Sequence, residues 1–132
     1  MKHAIEETNG GPMSTETYGE LTRSTTQDLA SLRSDMPDLM KGFGDMARAA
    51  TRDGALSKKT KELIALALGV AAHCDACIAF HVQALVKLGV TKAEVEEALG
   101  MAVYMGGGPS LMYSANAMAA FDEFATRAGA ST

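Results

Sequence analysis

Residues 73–81, His73-Cys74-Asp75-Ala76-Cys77-Ile78-Ala79-Phe80-His81, hold both cysteines of the chain and have an apolar, periodic segment on each side. Two thiols three positions apart can close a small disulfide. If the stretch is helical, Cys74, Cys77 and His81 stand at i, i+3 and i+7 on one stripe. His81 then lies one turn beyond Cys77, where an imidazole can take or return a thiol proton. The helical reading of this stretch sets the fold as well as the chemistry.

Working outward, Asp53-Gly54-Ala55-Leu56-Ser57 reads as a turn, with Gly54 supplying permissive backbone and Ser57 an N-cap. A helix follows from Lys58 to about Ala71. Its Leu63, Ile64, Leu66, Ala67 and Leu68 are apolar nearly all round, as in a buried central helix, which makes Glu62 conspicuous. The chain turns near Ala72-His73 and enters a second helix, Cys74 to Leu88, packing through Ile78, Val82, Leu85 and Val86. As an antiparallel hairpin these helices bring Glu62, ~15 Å back from the turn, level with His81, ~12 Å along the other arm. Glu62, Cys74, Cys77 and His81 are therefore the candidate site residues.

Gly89 ends the second helix, and Thr91-Lys92-Ala93-Glu94 is a capping box, with Val90 placed for a hydrophobic staple. The next helix runs through Val95, Ala98, Leu99, Ala102 and Val103. Gly106-Gly107-Gly108-Pro109 breaks the chain before a last helix carrying Leu111, Met112, Ala115, Met118, Ala119, Phe121 and Phe124. No strand precedes the triple glycine and no Lys-Ser/Thr follows it, so it reads as a loop where backbones meet rather than a phosphate cradle. Toward the N-terminus, a weak stripe from Tyr18 to about Met36 ends at Met36-Pro37, and Pro37 opens a helix with Leu39, Met40, Phe43, Met46, Ala47 and Ala50. Residues 1–17 are polar and aperiodic, a flexible tail; residues 18–132 form a single all-α, compact helical domain.

A chain of 132 residues supports one core. Hydrophobic residues make up 47% and there is no Trp, a composition suited to close helix packing. The net charge of −4 and a pI near 5.3, without a basic run, exclude nucleic acid as a partner. The first residues lack the apolar core of a signal peptide, and the longest apolar run, Leu63 to Ala72, is too short to span a bilayer. The expectation is a cytoplasmic protein with no membrane partner. In a reducing compartment the closely spaced cysteines read as catalytic or metal-binding rather than as a structural staple.

In the catalytic reading His81 is the base toward the Cys77 thiol and Glu62 holds the imidazole. A peroxide oxidises Cys77 to a sulfenic acid, Cys74 condenses with it into a disulfide, and an external dithiol resets the pair. Spacing alone leaves the order of the cysteines open, since Cys74 has the helix end while Cys77 has the adjacent base. The same side chains, Cys74, Cys77 and His81 with Glu62 or water, also match a tetrahedral zinc set, and a pair of inert packed thiols needs no partner at all. The alternative to an enzyme is thus a redox-responsive or zinc-binding helical assembly or adaptor protein. Nothing in the residues calls for a cofactor. His73 reads as a turn residue, Asp75 as a solvated first-turn residue, and Phe80, Tyr104 and Tyr113 as packing or pocket-lining side chains. The apolar central helices and small C-terminal residues offer more surface for burial than one subunit needs, which predicts subunit packing with the site close to a subunit boundary.

Glu62, the apolar helix after it, Cys74-Asp75-Ala76-Cys77 and His81, with Asp53-Gly54-Ala55-Leu56-Ser57 and Lys61-Glu62-Leu63-Ile64 upstream, resemble one known family across roughly residues 36 to 124. It is the AhpD-like (alkylhydroperoxidase D-like) branch of the carboxymuconolactone decarboxylase superfamily. The resemblance implies an all-helical homo-oligomer, a trimer or hexamer. It also implies a thiol-dependent peroxidase in which Glu62, Cys74, Cys77 and His81 form a proton relay, Cys77 being peroxidatic and Cys74 resolving. Its partners would be a hydroperoxide substrate and an external dithiol or dithiol protein, such as a lipoyl-bearing one. The best-matched site of the family has a further histidine just before the second cysteine, where this chain has Ala76. The decarboxylase branch lacks the cysteine pair, so the pair points away from lactone chemistry.

Overall fold

A computed structural model of the chain describes residues 16–130; the expected tail, 1–17, lies outside the described residues except for Glu16 and Thr17. The described elements are all α-helices: α1 (Tyr18–Asp28), α2 (Ala30–Asp35), α3 (Pro37–Thr51), α4 (Lys58–Ala71), α5 (Asp75–Lys87), α6 (Lys92–Gly106) and α7 (Gly108–Ala130).

Local chemistry sets most of the boundaries. Thr17 and Glu20 form a capping box at α1, Thr17 Oγ1 accepting from the Glu20 N–H and Glu20 Oε1 from the Thr17 N–H. The stripe expected to run unbroken from Tyr18 to Met36 is interrupted at Leu29, which ends α1 and starts α2. The hydroxyls of Thr22, Ser24 and Thr26 donate back to the carbonyls of Gly19, Leu21 and Thr22, a competition with the helix ladder that weakens it before the break. Pro37 occupies the first turn of α3, where its missing N–H costs nothing. Ser57 Oγ caps α4 by accepting from the Thr60 N–H, as the turn chemistry predicts. Gly54 is not left-handed in that turn, and its N–H is satisfied by the Leu56 carbonyl instead.

The capping box at α6 forms between Thr91 and Glu94, and Val90 and Val95 are both buried in the core, as a staple requires. Gly89 and Gly107 have φ of 79° and 70°, the left-handed backbone that ends α5 and α6 without a Cβ penalty. Gly106 is itself helical, so the break is narrower than the triple glycine implies. A Cβ there would stand 2.1 Å from Ser110 Oγ, which is why the first turn of α7 can close down on the end of α6.

The core lies between α4, α5, α6 and α7. Leu66 and Val70 of α4 meet Ile78, Val82 and Leu85 of α5, Val95 and Leu99 of α6, and Ala117, Phe121 and Phe124 of α7. Each fully buried Leu, Ile or Val contributes roughly 1.5–3 kcal/mol relative to exposure. Helix α1 joins this bundle against α5 and α7. The Glu123 carboxylate accepts from the N–H groups of both Tyr18 and Gly19, 2.9 Å each, so a carboxylate of α7 caps the positive end of α1. Helix α3 buries no residue: Leu39, Phe43 and Met46 remain 54%, 63% and 60% exposed. No described helix is long and apolar enough to cross a membrane.

Candidate active site

Helices α4 and α5 pack against one another across the turn at Ala72-His73-Cys74, and each contributes half of the site. The turn is tight. The Ala72 N–H donates to the Leu68 carbonyl, the His73 N–H to Val70, and the Cys74 N–H to Gly69. His73 carries φ of 57°, the left-handed region that a non-glycine residue enters only when its surroundings hold it there.

Cys74 is the N-cap of α5 rather than a residue of its first turn. Its Sγ accepts from the Cys77 N–H at 3.2 Å, and its carbonyl accepts from Ile78. The two cysteines are joined in a disulfide with their Cα atoms 5.2 Å apart. Both cysteines are half-buried. Gly69 is what lets α5 come so close. A Cβ at that position would lie 3.2 Å from Cys77 Cβ, tighter than most side-chain contacts. Gly69 therefore serves the site twice, through its missing side chain and through the carbonyl that holds the Cys74 N–H.

Glu62 and His81 meet as their equal distances from the turn predict. Glu62 Oε1 is 2.7 Å from His81 Nδ1, with Glu62 only 6% exposed and the His81 side chain 33%. Nδ1 faces the buried Glu62 carboxylate, which leaves Nε2 as the ring nitrogen not engaged by Glu62. His81 follows Cys77 by one turn of α5. The cysteine pair and the Glu62–His81 bridge make a thiol-based redox site with a built-in proton relay, the arrangement of thiol oxidoreductases.

In this state the sulfurs are bonded to each other, and among the described residues no group of three His, Cys, Asp or Glu side chains gathers to hold a metal ion.

Sequence reasoning misses two residues that shape the site, Gly69 and Asn116, and reads Tyr113 only as a packing or pocket-lining side chain. His73 is a turn residue as expected, but its ring also stacks on Tyr113, centroids 4.6 Å apart and planes within 5°. Asp75 is exposed as expected, yet its Oδ1 accepts from Asn116 Nδ2 at 3.2 Å. Helix α1 packs against α5, and burial, with the negative charges of Asp75 and Glu123 adding to it, pushes the Tyr18 phenol above its ordinary value. Gly69 had a usable signal, a glycine inside an otherwise apolar helix. The partners of Tyr113 and Asn116 had none, because which helix lies over the disulfide turn is a property of the tertiary fold.

The sequence pattern of the carboxymuconolactone decarboxylase family matches residues 37–120. An uncharacterized protein of Cupriavidus necator is 38% identical over 110 residues, covering 83% of this chain and 96% of its own. Among solved structures, a carboxymuconolactone decarboxylase family protein from Legionella pneumophila, crystallised in its apo form, is 60% identical with a TM-score of 0.80, the match covering 82% of this chain and 96% of that one. A Thermotoga maritima protein matches at 28% identity and a TM-score of 0.72, over 85% and 96% of the two chains.

Proposed function

The chain belongs to the carboxymuconolactone decarboxylase family, and from that premise we propose that it is an AhpD-like, thiol-dependent peroxidase that reduces hydroperoxides through Cys77 and Cys74. The observation that carries this reading is the 2.7 Å contact between buried Glu62 and His81, one helical turn from a closed cysteine pair. Packing alone requires neither the buried carboxylate nor its alignment with the imidazole.

In the reduced enzyme His81 Nε2 takes the Cys77 proton, and Glu62 stabilises the imidazolium that results. The Cys77 thiolate attacks the terminal peroxide oxygen, the O–O bond breaks, and the departing alkoxide receives the proton from His81 as an alcohol. Cys77 is left as a sulfenic acid. The Cys74 sulfur then displaces hydroxide from Cys77, giving water and the disulfide. An external dithiol, free or carried on a protein, returns two electrons and two protons and is itself oxidised to a disulfide. Cys77 is the attacking thiol because the base is one turn away from it. Ala76 leaves the relay with Glu62 and His81 as its proton-handling groups.

Residues 18–132 act as one domain in this proposal, α4 and α5 form an antiparallel hairpin, and the enzyme works in the cytoplasm as a homo-oligomer, a trimer or hexamer. Support for assembly comes from the apolar side chains left exposed on α3, with Met101, Tyr104 and Met105 on α6 and Leu111 and Met112 on α7. The test is peroxide consumption with dithiothreitol as the dithiol. Wild type turns over, and Cys77→Ser does not. A wild type that consumes no hydroperoxide with any dithiol, yet changes its assembly on oxidation, would overturn the enzyme reading in favour of a redox-responsive scaffold.

A further inference from the structure

The residues on both sides of Cys74 are tethered to α7, and neither tether handles protons or electrons in the reaction above. On one side His73 stacks face to face on Tyr113; on the other, the Asp75 carboxylate accepts from Asn116. Tyr113 and Asn116 are three residues apart, one turn of the same helix, so a single rigid element grips the residues before and after the first cysteine. Among the described residues His73 is the non-glycine position with a left-handed φ, and such backbone persists only where contacts over-determine it. The Tyr113 stack is such a contact, and the Cys74 N–H held by the Gly69 carbonyl is another.

We infer that Tyr113 and Asn116 are positioning residues for the redox pair, holding the Cys74 turn in the geometry that closes the disulfide and so biasing the thiol–disulfide equilibrium toward the disulfide. Two physical effects act in the same direction. A turn fixed on both sides keeps the Cys74 thiol near Cys77 after reduction, which raises the effective concentration of one thiol toward the other. Asn116 also keeps the Asp75 carboxylate beside the pair, and a fixed negative charge disfavours the thiolates of the reduced form. The inference rests on the site being a thiol redox site, and it is independent of peroxide being the oxidant.

The equilibrium is read directly by incubating the full chain in mixtures of reduced and oxidised glutathione. Two glutathione thiols become one glutathione disulfide while the Cys74–Cys77 pair gains two electrons and two protons. Acid quenching and maleimide mass tagging then count the thiols. Tyr113→Ala and Asn116→Ala are each expected to shift the equilibrium constant toward the dithiol by about threefold or more, while Tyr113→Phe, which keeps the stacked ring, stays within about twofold of wild type. Asp122→Asn, exposed on the same helix, should also leave it unchanged. Circular dichroism and unfolding midpoints confirm that the variants compared are folded. Folded alanine variants that match wild type overturn the inference, and so does an equal shift from Tyr113→Phe or Asp122→Asn. A wild-type pair that never equilibrates with glutathione overturns the redox reading of the site itself, a result separable from failure of the clamp alone.

Discussion

Helix α3 has a sharper apolar stripe than α5, yet α3 buries none of its residues while α5 buries Ile78, Ala79, Val82 and Leu85 completely. The contrast shows what a stripe measures. It says that a face needs cover, not that the same subunit supplies it. Helix α5 reads as less amphipathic because α1, α4 and α7 pack on different sides of it, and the redox pair sits at the N-terminal end of this most enclosed helix. Rigid, enclosed helices hold Glu62 and His81 at hydrogen-bond distance; the α3 face is free for other contacts.

If the chemistry belongs to the enclosed helices alone, substitutions in the two regions should separate cleanly. His81→Ala should slow peroxide-driven disulfide formation by about 10²- to 10⁴-fold, the usual contribution of a positioned acid–base group, while Phe43→Ala on α3 leaves the single-turnover rate unchanged. Stopped-flow thiol oxidation with hydroperoxide checks both. A rate that follows Phe43 would place α3 in the site and break the contrast.

Stability should divide along the same line. Leu66→Ala, at a fully buried position of α4, should cost about 2–5 kcal/mol in denaturant unfolding. Phe43→Glu should retain helicity and the disulfide but lower the mass seen in sedimentation, because the exposed α3 face is the one a second copy covers in the proposed assembly.

How much of this is legible in the sequence follows from the reach of each signal. Helix ends at Ser57, Gly89 and Thr91 depend on side chains within a few residues, so they can be read directly. The meeting of Glu62 with His81 is also legible, because a short turn and a fixed rise per residue convert sequence distance into spatial level. The break at Leu29 is less so, since it falls inside a stripe that keeps its period and no glycine or proline marks it. The left-handed position of the α4–α5 connection falls on His73, where no glycine marks it in the sequence. The ring it stacks on, Tyr113 of α7, is far away in the chain.

The smallest expected effect is one of pH. Glu94 accepts from the Thr91 N–H in its capping box and pairs with Lys59 Nζ at 2.9 Å, and these contacts hold its carboxyl below the usual carboxylate range. A carboxylate depressed on folding stabilises the protein above its unfolded pKa, and that contribution fades as pH falls through the folded value. Thermal unfolding of Glu94→Gln should therefore converge with wild type in acid and fall slightly below it near neutrality.

The central claim is that Cys77 and Cys74 form a peroxide-oxidised pair served by Glu62 and His81. It is tested most directly by counting free thiols in the reduced protein before and after a small excess of hydroperoxide. The account predicts that both thiols of each wild-type chain disappear into the intramolecular disulfide, that Cys74→Ser stops with a trappable sulfenic acid on Cys77, and that Cys77→Ser keeps its remaining thiol. Wild-type thiols that survive the peroxide unchanged would contradict it.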